Sequence, residues 1–474
     1  MDGPRRFHLE MPKLPSLGIH VLPAATVCAA LLLPACVAES EPNNEIVGVT
    51  ESAATFTATS SHPATYARQW MTNLANSCKK DVCAPPVAAR TYSYGAIAIY
   101  ESVVHGMPGY RSLAGQIRGL DSLPQPDASL TYDWPTVLAQ TMHRVTNDGG
   151  YVYPNRLFFE FTAFTDAALK SLGPTQIAFR RTEGVPDAVI NDSVAYANRL
   201  ADALIAWVNA DGYNEVRFKG WVAPQGPDKW VSTGFSDTDK VANPQEPYFG
   251  TLRPLVLTSP DECATDLAPP QFSTDPSSEW YQSAKEVYDT DRSLTAEERE
   301  IARFWADVPG DTPSPAGHWL ALITKNVRAG NLGDAAAGYV QAGLGFYESF
   351  LAIWETKYHY NTIRPESYIR RYIDPTWRPT WATPQFPSWV SGHSGLSGAS
   401  GVLFTAAFGN GPVVDDTKLR RGFGARSYAN YHAAADEAAV SRLYGGIHYR
   451  FDNDDGLALG RCVGNKILER VHLR

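Results

Sequence analysis

Between about residues 334 and 360 the chain carries a helical pattern whose apolar stripe ends in a charge, and this constrains the fold more than any other stretch. Phe346, Phe350, Trp354 and Lys357 are spaced by four, four and three residues, so they share one face, and that face is the buried one. An ammonium on an apolar face must find an anion or lose its charge, so Lys357 points at something negative. Helical periodicity also runs from Tyr66 to about Asn209, with Ala-rich stretches at Tyr94 to Val104 and Asn191 to Val208. It returns at Ser277 and again after Thr295, where Thr295-Ala-Glu-Glu298 forms a capping box ahead of Ile301, Phe304 and Trp305. Residues 210–275 differ: rich in Pro, Gly and Trp, they read as a long ordered loop region wrapping the helices, pinned by Trp221, Trp230 and Tyr248. No strand-alternating run is long enough to make a sheet, and no repeat of fixed period is evident.

With 474 residues, 44% of them apolar and 19% charged, the chain has ample material for a large core. Lys plus Arg is 41 against 50 Asp plus Glu, a net charge of −9, which disfavours a general nucleic-acid binder, since that needs a cationic face. A multi-span membrane protein is disfavoured too, because the one long apolar segment lies at the extreme N-terminus. There Arg5, Arg6 and Lys13 precede an apolar run from Val21 to Ala35, too short to span a bilayer and flanked as a secretory signal is. The run ends Leu33-Pro34-Ala35-Cys36, which resembles a bacterial lipobox in which Cys36 becomes the lipidated first residue; ordinary cleavage after Ala38, releasing a soluble protein, is the alternative. Removing residues 1–35 takes away Arg5, Arg6, Lys13, Asp2 and Glu10, so the mature chain carries −10. Residues 37–65, rich in Ser, Thr, Ala, Glu and Asn, read as a flexible tether.

Six Cys residues become four once Cys28 leaves with the signal and Cys36 is lipidated. Cys78 and Cys83 are close enough to close a small loop, and export to an oxidising compartment favours that disulfide. Cys263 and Cys462 either pair or stay buried as thiols. No spacing is Cys-x-x-Cys, so a zinc ribbon and a thioredoxin-type site are unsupported.

Three blocks carry chemistry. In the first, six residues separate Lys357 from Arg364-Pro365, where the proline forces the chain out of a helix and can aim the guanidinium back toward the lysine. In the second, Phe386-Pro-Ser-Trp-Val-Ser391-Gly392-His393-Ser394 runs into the small-residue helix Gly395 to Phe408. Backbone N–H groups, a hydroxyl and an imidazole there converge on one anion-binding spot. A serine-hydrolase elbow fails, because Gly392-His-Ser394-Gly-Leu lacks the final glycine. In the third, Ser441-Arg442 is followed by His448 and Asp452. If His448 opens a helix, Asp452 lies one turn on and holds one ring nitrogen, leaving the other basic. A calcium-loop reading of Asn453-Asp454-Asp455-Gly456 fails, since no Glu closes the loop. Three cations, two histidines, a serine and a helix N-terminus within the last 120 or so residues of an acidic protein suit a small tetrahedral oxyanion.

Lys357-x6-Arg364-Pro, then Ser391-Gly-His393, then Ser441-Arg442-x5-His448-x3-Asp452, in this order, resembles the signature shared by type 2 phosphatidic acid phosphatases, bacterial acid phosphatases and vanadium-dependent haloperoxidases. The sequence looks most like the bacterial haloperoxidase branch, through Trp354-Glu-Thr-Lys357-Tyr-His-Tyr-Asn361, Phe304-Trp305-Ala306-Asp307 and Pro315-Ala-Gly-His318-Trp319; weaker similarity reaches back to Pro85-Pro-Val-Ala-Ala-Arg90. Val390 departs from the common pattern, which has Pro before Ser-Gly-His.

The resemblance implies an all-α fold of two helical bundles, with a helical region plus loops over residues 66–275 and a C-terminal bundle carrying the site over residues 276–474. It implies vanadate as cofactor, bound by Lys357, Arg364, Ser391, Gly392 and Arg442, with His448 coordinating vanadium axially and Asp452 behind it. His393 would be the acid/base when hydrogen peroxide binds. Asp307 would brace Arg442, and Trp354 and Phe386 would line a halide pocket or serve as plain core aromatics. The partners implied are hydrogen peroxide, a halide and a small organic acceptor, with a membrane engaged only through a lipid on Cys36. Five-coordinate vanadate resembles the transition state of phosphoryl transfer, so a phosphatase using His448 as nucleophile and His393 as leaving-group acid is the alternative activity. The chain's length and the Trp354–Asn361 match favour the peroxidase. A non-catalytic, phosphate-capturing lipoprotein is a third class, for which His448 would be dispensable.

Overall fold

Helix propensity and small-residue contacts between helices determine where the site forms. The computed structural model describes residues 58–147, 163–233 and 244–474; the signal segment, Cys36 and most of the tether lie outside them. A first group of helices comprises α1 (Thr65–Lys80), α2 (Pro85–Val103), α3 (Trp134–Asn147), α4 (Ala163–Thr182) and α5 (Asp187–Asn209), followed by the single turn α6 (Tyr213–Val216). Then come α7 (Glu279–Ser293), α8 (Ala296–Phe304), α9 (Ser314–Asn326), α10 (Leu332–Tyr360), α11 (Pro365–Tyr372), α12 (Gly392–Phe408), α13 (Tyr431–Tyr444) and α14 (Arg450–Arg470). Three-residue strands β1 (Val413–Asp415) and β2 (Arg426–Tyr428) pair antiparallel with Val413 opposite Tyr428. The architecture is helical, as expected, and no helix among the described residues is long and apolar enough to cross a membrane.

Helix α10 packs against α2 of the first group and against α12 and α14 of the second. Asn331 caps its start, its side chain accepting from the Asp334 N–H at 3.0 Å, and Asn361 ends it in the left-handed conformation (φ 55°). The Thr295–Glu298 capping box forms as expected at the start of α8. Helices α12 and α14 cross with backbones nearly touching: a Cβ on Gly460 would lie 1.9 Å from the Gly395 carbonyl oxygen, so only glycine fits there. That crossing brings the start of α12 against the start of α14, where the Ser391 N–H donates to the Asp452 carbonyl at 2.8 Å.

The loop region after α5 is anchored partly as expected, by the buried Trp230 and by Trp221 packed edge-on to Tyr358. A buried carboxylate adds to this. Glu348 of α10 accepts the N–H groups of Leu255 (2.5 Å), Val256 (3.1 Å) and Leu257 (3.1 Å), and burial pushes it up to about 7.

Three expectations need correction. The tether ends earlier than residue 65, because Thr59, His62 and Ala64 are buried and the Leu332 N–H donates to the His62 carbonyl. Cys78 and Cys83 are both buried free thiols, although the turn between them brings the Cys83 N–H to the Cys78 carbonyl. The disulfide joins Cys263 to Cys462, fastening the loop region to α14 across 199 residues of sequence. Helix α14 starts at Arg450, two residues after His448, so Asp452 occupies its third position and also accepts from the Tyr449 N–H at 3.2 Å.

Candidate active site

Lys357 sits in the last turn of α10, fully buried. Its Nζ donates to the carbonyls of Pro387 (2.8 Å) and Ser388 (2.7 Å). Burial, then the Arg364 charge, pushes its pKa well below that of a free lysine, with Asp452 pulling the other way.

Arg364 is the N-cap of α11, with Pro365 at the first helical position because a missing N–H is harmless there. Its Nε donates to the Phe386 carbonyl at 2.9 Å, and its Nη1 to the Ile447 carbonyl at 2.9 Å and to His448 Nε2 at 3.0 Å. Arg442, in the last turn of α13, donates from Nη1 to the Trp305 carbonyl and to His393 Nε2, both at 2.8 Å. Arg364 Nη2 and Arg442 Nε are buried with no partner, and burial pushes both guanidiniums down to about 10.

Ser391 caps α12, its Oγ accepting from the Ser394 hydroxyl at 2.8 Å. Gly392 opens the helix, and a Cβ there would make only ordinary van der Waals contact, with ring carbons of Trp354 (3.8 Å) and Phe350 (3.9 Å). The first N–H groups of this 17-residue helix therefore sit beside three buried cations.

His448 Nδ1 lies 2.8 Å from Asp452 Oδ2, which also accepts from the Ser388 hydroxyl at 2.5 Å. Burial, then Arg364 and Lys357, push His448 well below the usual imidazole range, and burial pushes Asp452 up to about 7. The hydrogen-bond pattern assigns a neutral ring whose Nδ1 donates to Asp452 and whose Nε2 lone pair faces Arg364. His393 is the less buried of the two histidines, its side chain 18% exposed. Burial and Arg442 keep it neutral also, its Nε2 accepting from the guanidinium.

The structure brings Lys357, Arg364, Ser391, Gly392, His393, Arg442, His448 and Asp452 together, as their spacing suggests. Trp354 and Phe386 stand at 5.0 Å between ring centroids, and the Phe386 ring lies 5.1 Å from Lys357 Nζ and 5.0 Å from the Arg364 guanidinium carbon. Asp307 acts on Arg442 through its charge, which favours the buried guanidinium, and makes no direct hydrogen bond to it. Its carboxylate pairs with His318 Nδ1 (2.9 Å) and Lys418 Nζ (2.6 Å), while Arg442 is held by the carbonyl of Trp305 and, more weakly, that of Ala306. Burial opposes ionisation of Asp307, but His318 and Lys418 outweigh it and hold the carboxyl far below its usual range.

Sequence reasoning missed Ser388, His318, Asp415 and Lys418. Ser388 and His318 lie inside the matched motifs, without a role of their own there. Nothing local marks Asp415 or Lys418, whose partners lie about 100 residues away.

Among the described residues no group of three or more His, Cys, Asp or Glu side chains could hold a metal cation; the donor set suits an anion. Residues 339–473 match the family model described as the VCPO second helical-bundle domain. A crystal structure of a bacterial vanadium-dependent iodoperoxidase is similar over 87% of this chain and 97% of its own, with 31% identity and a TM-score of 0.77. A holo-type bacterial vanadium-dependent chloroperoxidase shares the fold at 13% identity and a TM-score of 0.57, over 84% of this chain and 94% of that one. The apo-type structure of a bacterial vanadium-dependent chloroperoxidase gives 13% identity and 0.54, over 82% and 94%. No curated protein matches the sequence.

Proposed function

Because this chain belongs to the vanadium-dependent haloperoxidases, we propose that it oxidises halide with hydrogen peroxide at the Lys357–Arg364–Arg442–His448 pocket, with vanadate as its cofactor. One observation carries the site: three buried cations converge at a helix N-terminus, with Arg364 Nη2 and Arg442 Nε left unbonded. Unpaired buried donors are unfavourable, and a bound oxyanion supplies the missing acceptors and charge. Vanadate therefore fits the residues present. Lys357, Arg364 and Arg442 would neutralise its oxygens, Ser391 and the Gly392 N–H would hydrogen-bond them, and His448 Nε2 would bind the vanadium.

When bound, vanadate supplies the Lewis-acidic centre that activates hydrogen peroxide toward halide. The protein's contribution is positional and electrostatic. Asp452 holds the Nδ1 proton of His448 and so keeps Nε2 unprotonated. The reaction, H2O2 + X⁻ + H⁺ → HOX + H2O, consumes one proton, and His393, neutral and partly exposed, can collect it from solvent and hold it on Nε2. Anionic charge in the pocket favours the protonated ring, and so offsets the repulsion from Arg442. Trp354 and Phe386 would exclude water beside the cations, where a halide approaches.

Iodide is the halide proposed: it is the most easily oxidised of the common halides, and the 31% identical relative is an iodoperoxidase. The sequence also supports export, with a lipid on Cys36 as the only tie to a membrane; the Cys263–Cys462 disulfide fits an oxidising compartment. Acyl-peptide mass spectrometry of the native N-terminus tests the anchor.

The deciding experiment assays one metal-stripped sample for iodide and bromide oxidation with and without vanadate, alongside phosphate-ester hydrolysis. Halide oxidation that requires vanadate is expected. Ester hydrolysis inhibited by vanadate, with no halide oxidation, would make the protein a histidine phosphatase on the same scaffold.

A further inference from the structure

Behind the oxyanion pocket lies a second buried cluster that the proposed reaction does not use. Helix α8 ends at Phe304, and the chain turns through Trp305 and Ala306 into Asp307, which takes a left-handed conformation (φ 45°) that an L side chain resists. The carbonyls of this corner orient Arg442: its Nη1 donates to Trp305 O at 2.8 Å and, more weakly, to Ala306 O at 3.5 Å. Asp307 Oδ2 also stands 3.8 Å from His393 Nε2. Both cationic and acid/base groups of the pocket thus lean on one strained turn.

Side chains from three other places hold that turn. Lys418 Nζ donates to the Phe304 carbonyl and to Asp307 Oδ1, so one ammonium bridges the two ends of the corner. His318, from α9, lies 2.9 Å from Asp307 Oδ2 through Nδ1 and 2.8 Å from Asp415 Oδ2 through Nε2. A neutral ring would set a lone pair against one of these carboxylates, so His318 is an imidazolium donating both ways. The Trp305 ring lies over it at 4.4 Å between centroids, tilted by 30°. Asp415, at the end of β1, is held in turn by the N–H (2.9 Å) and hydroxyl (2.7 Å) of Thr417. All four ionisable groups are buried, and two acids balance two bases.

We propose that His318 and Lys418, with Asp415 behind them, are positioning residues for the oxyanion site. They lock the Phe304–Asp307 corner, and through its carbonyls they aim Arg442 at the anion. The role rests on the pocket being an oxyanion site, and it assigns function to residues that never touch the anion.

The test uses the full chain, metal-stripped, titrated calorimetrically with vanadate and separately with inorganic phosphate. His318→Gln and Lys418→Met should each weaken both anions by about tenfold, because a misaimed guanidinium loses a charge-assisted hydrogen bond. The vanadate concentration for half-maximal halide oxidation should rise by more than kcat at saturating vanadate falls. Asp133→Asn, which breaks the buried Arg180 ion pair in the first helical group, should lower Tm and leave both affinities unchanged. Should His318→Gln fail to fold, Asp415→Asn, which keeps every group of the corner, must show the same shift in smaller measure. Wild-type affinity in variants that fold would overturn the positioning role while leaving the site reading intact. A wild-type protein that binds neither anion would instead overturn the site reading itself.

Discussion

Two buried histidines in this molecule each present Nδ1 to an aspartate, at 2.8 Å for His448 and Asp452 and 2.9 Å for His318 and Asp307, yet one is neutral and the other charged. The difference lies at Nε2. His448 faces the Arg364 guanidinium at 3.0 Å, and burial among cations keeps it neutral. His318 faces a second carboxylate, Asp415, at 2.8 Å; burial alone would discharge it, but Asp307 and Asp415 raise its pKa above the usual value. The same His–Asp couple thus becomes a lone pair ready for a ligand in one place and a fixed cation in the other. The field of the next neighbour decides which.

Mutation at these couples should separate them most. His448→Ala should abolish halide oxidation, while His318→Gln retains measurable turnover when vanadate is in excess; steady-state iodide oxidation reads both. Full activity in His448→Ala would end the comparison, since it would leave the neutral ring without a task. Next in size, Lys357→Ala, Arg364→Ala or Arg442→Ala should each weaken vanadate binding by about 3 kcal/mol, roughly 10²-fold in Kd by calorimetry, because the remaining charges are left mispaired. Asp452→Asn should lower vanadate affinity or kcat by about 10- to 100-fold, as loss of a partner that orients a ligating histidine commonly does. An unchanged Kd and kcat would show that the Asp452 carboxylate does not orient the ring.

The smallest effect is in stability against pH, and here the two histidines should differ in sign. The folded pKa of His318 is raised, so its stabilisation is complete below its unfolded value of about 6.5 and fades as pH rises through the folded value. The folded pKa of His448 is depressed, so below pH about 6.5 the unfolded chain takes up a proton that the fold refuses, and stability falls. Urea unfolding of the stripped protein should therefore show His318→Gln most harmful at low pH, and His448→Gln relatively favourable there. Parallel pH profiles for the two variants would contradict the assigned charges.

The pocket residues were legible in the sequence because local rules place them: a proline at the first position of α11 fixes Arg364, a serine N-cap fixes Ser391, and helical spacing buries Lys357. The bond between His448 and Asp452 does not need His448 to open the helix, since Asp452 reaches both Nδ1 and the Tyr449 N–H from the first turn of α14. What stayed hidden depends on contacts distant in sequence. Only four residues separate Cys78 from Cys83, which suggests a bridge, but the packing of the loop region on α14 joins Cys263 to Cys462 instead. Glu348 holding three backbone N–H groups, and Lys418 closing the Asp307 corner, have no periodic or local signature.

The most direct test of the central claim is a vanadate titration of the stripped chain followed by vanadium-51 NMR, with phosphate as competitor. One vanadate per chain should leave the free resonance, return on addition of phosphate, and fail to bind Arg364→Ala at the same concentration. Binding unaffected by phosphate and undiminished in Arg364→Ala would place the cofactor elsewhere and contradict the account.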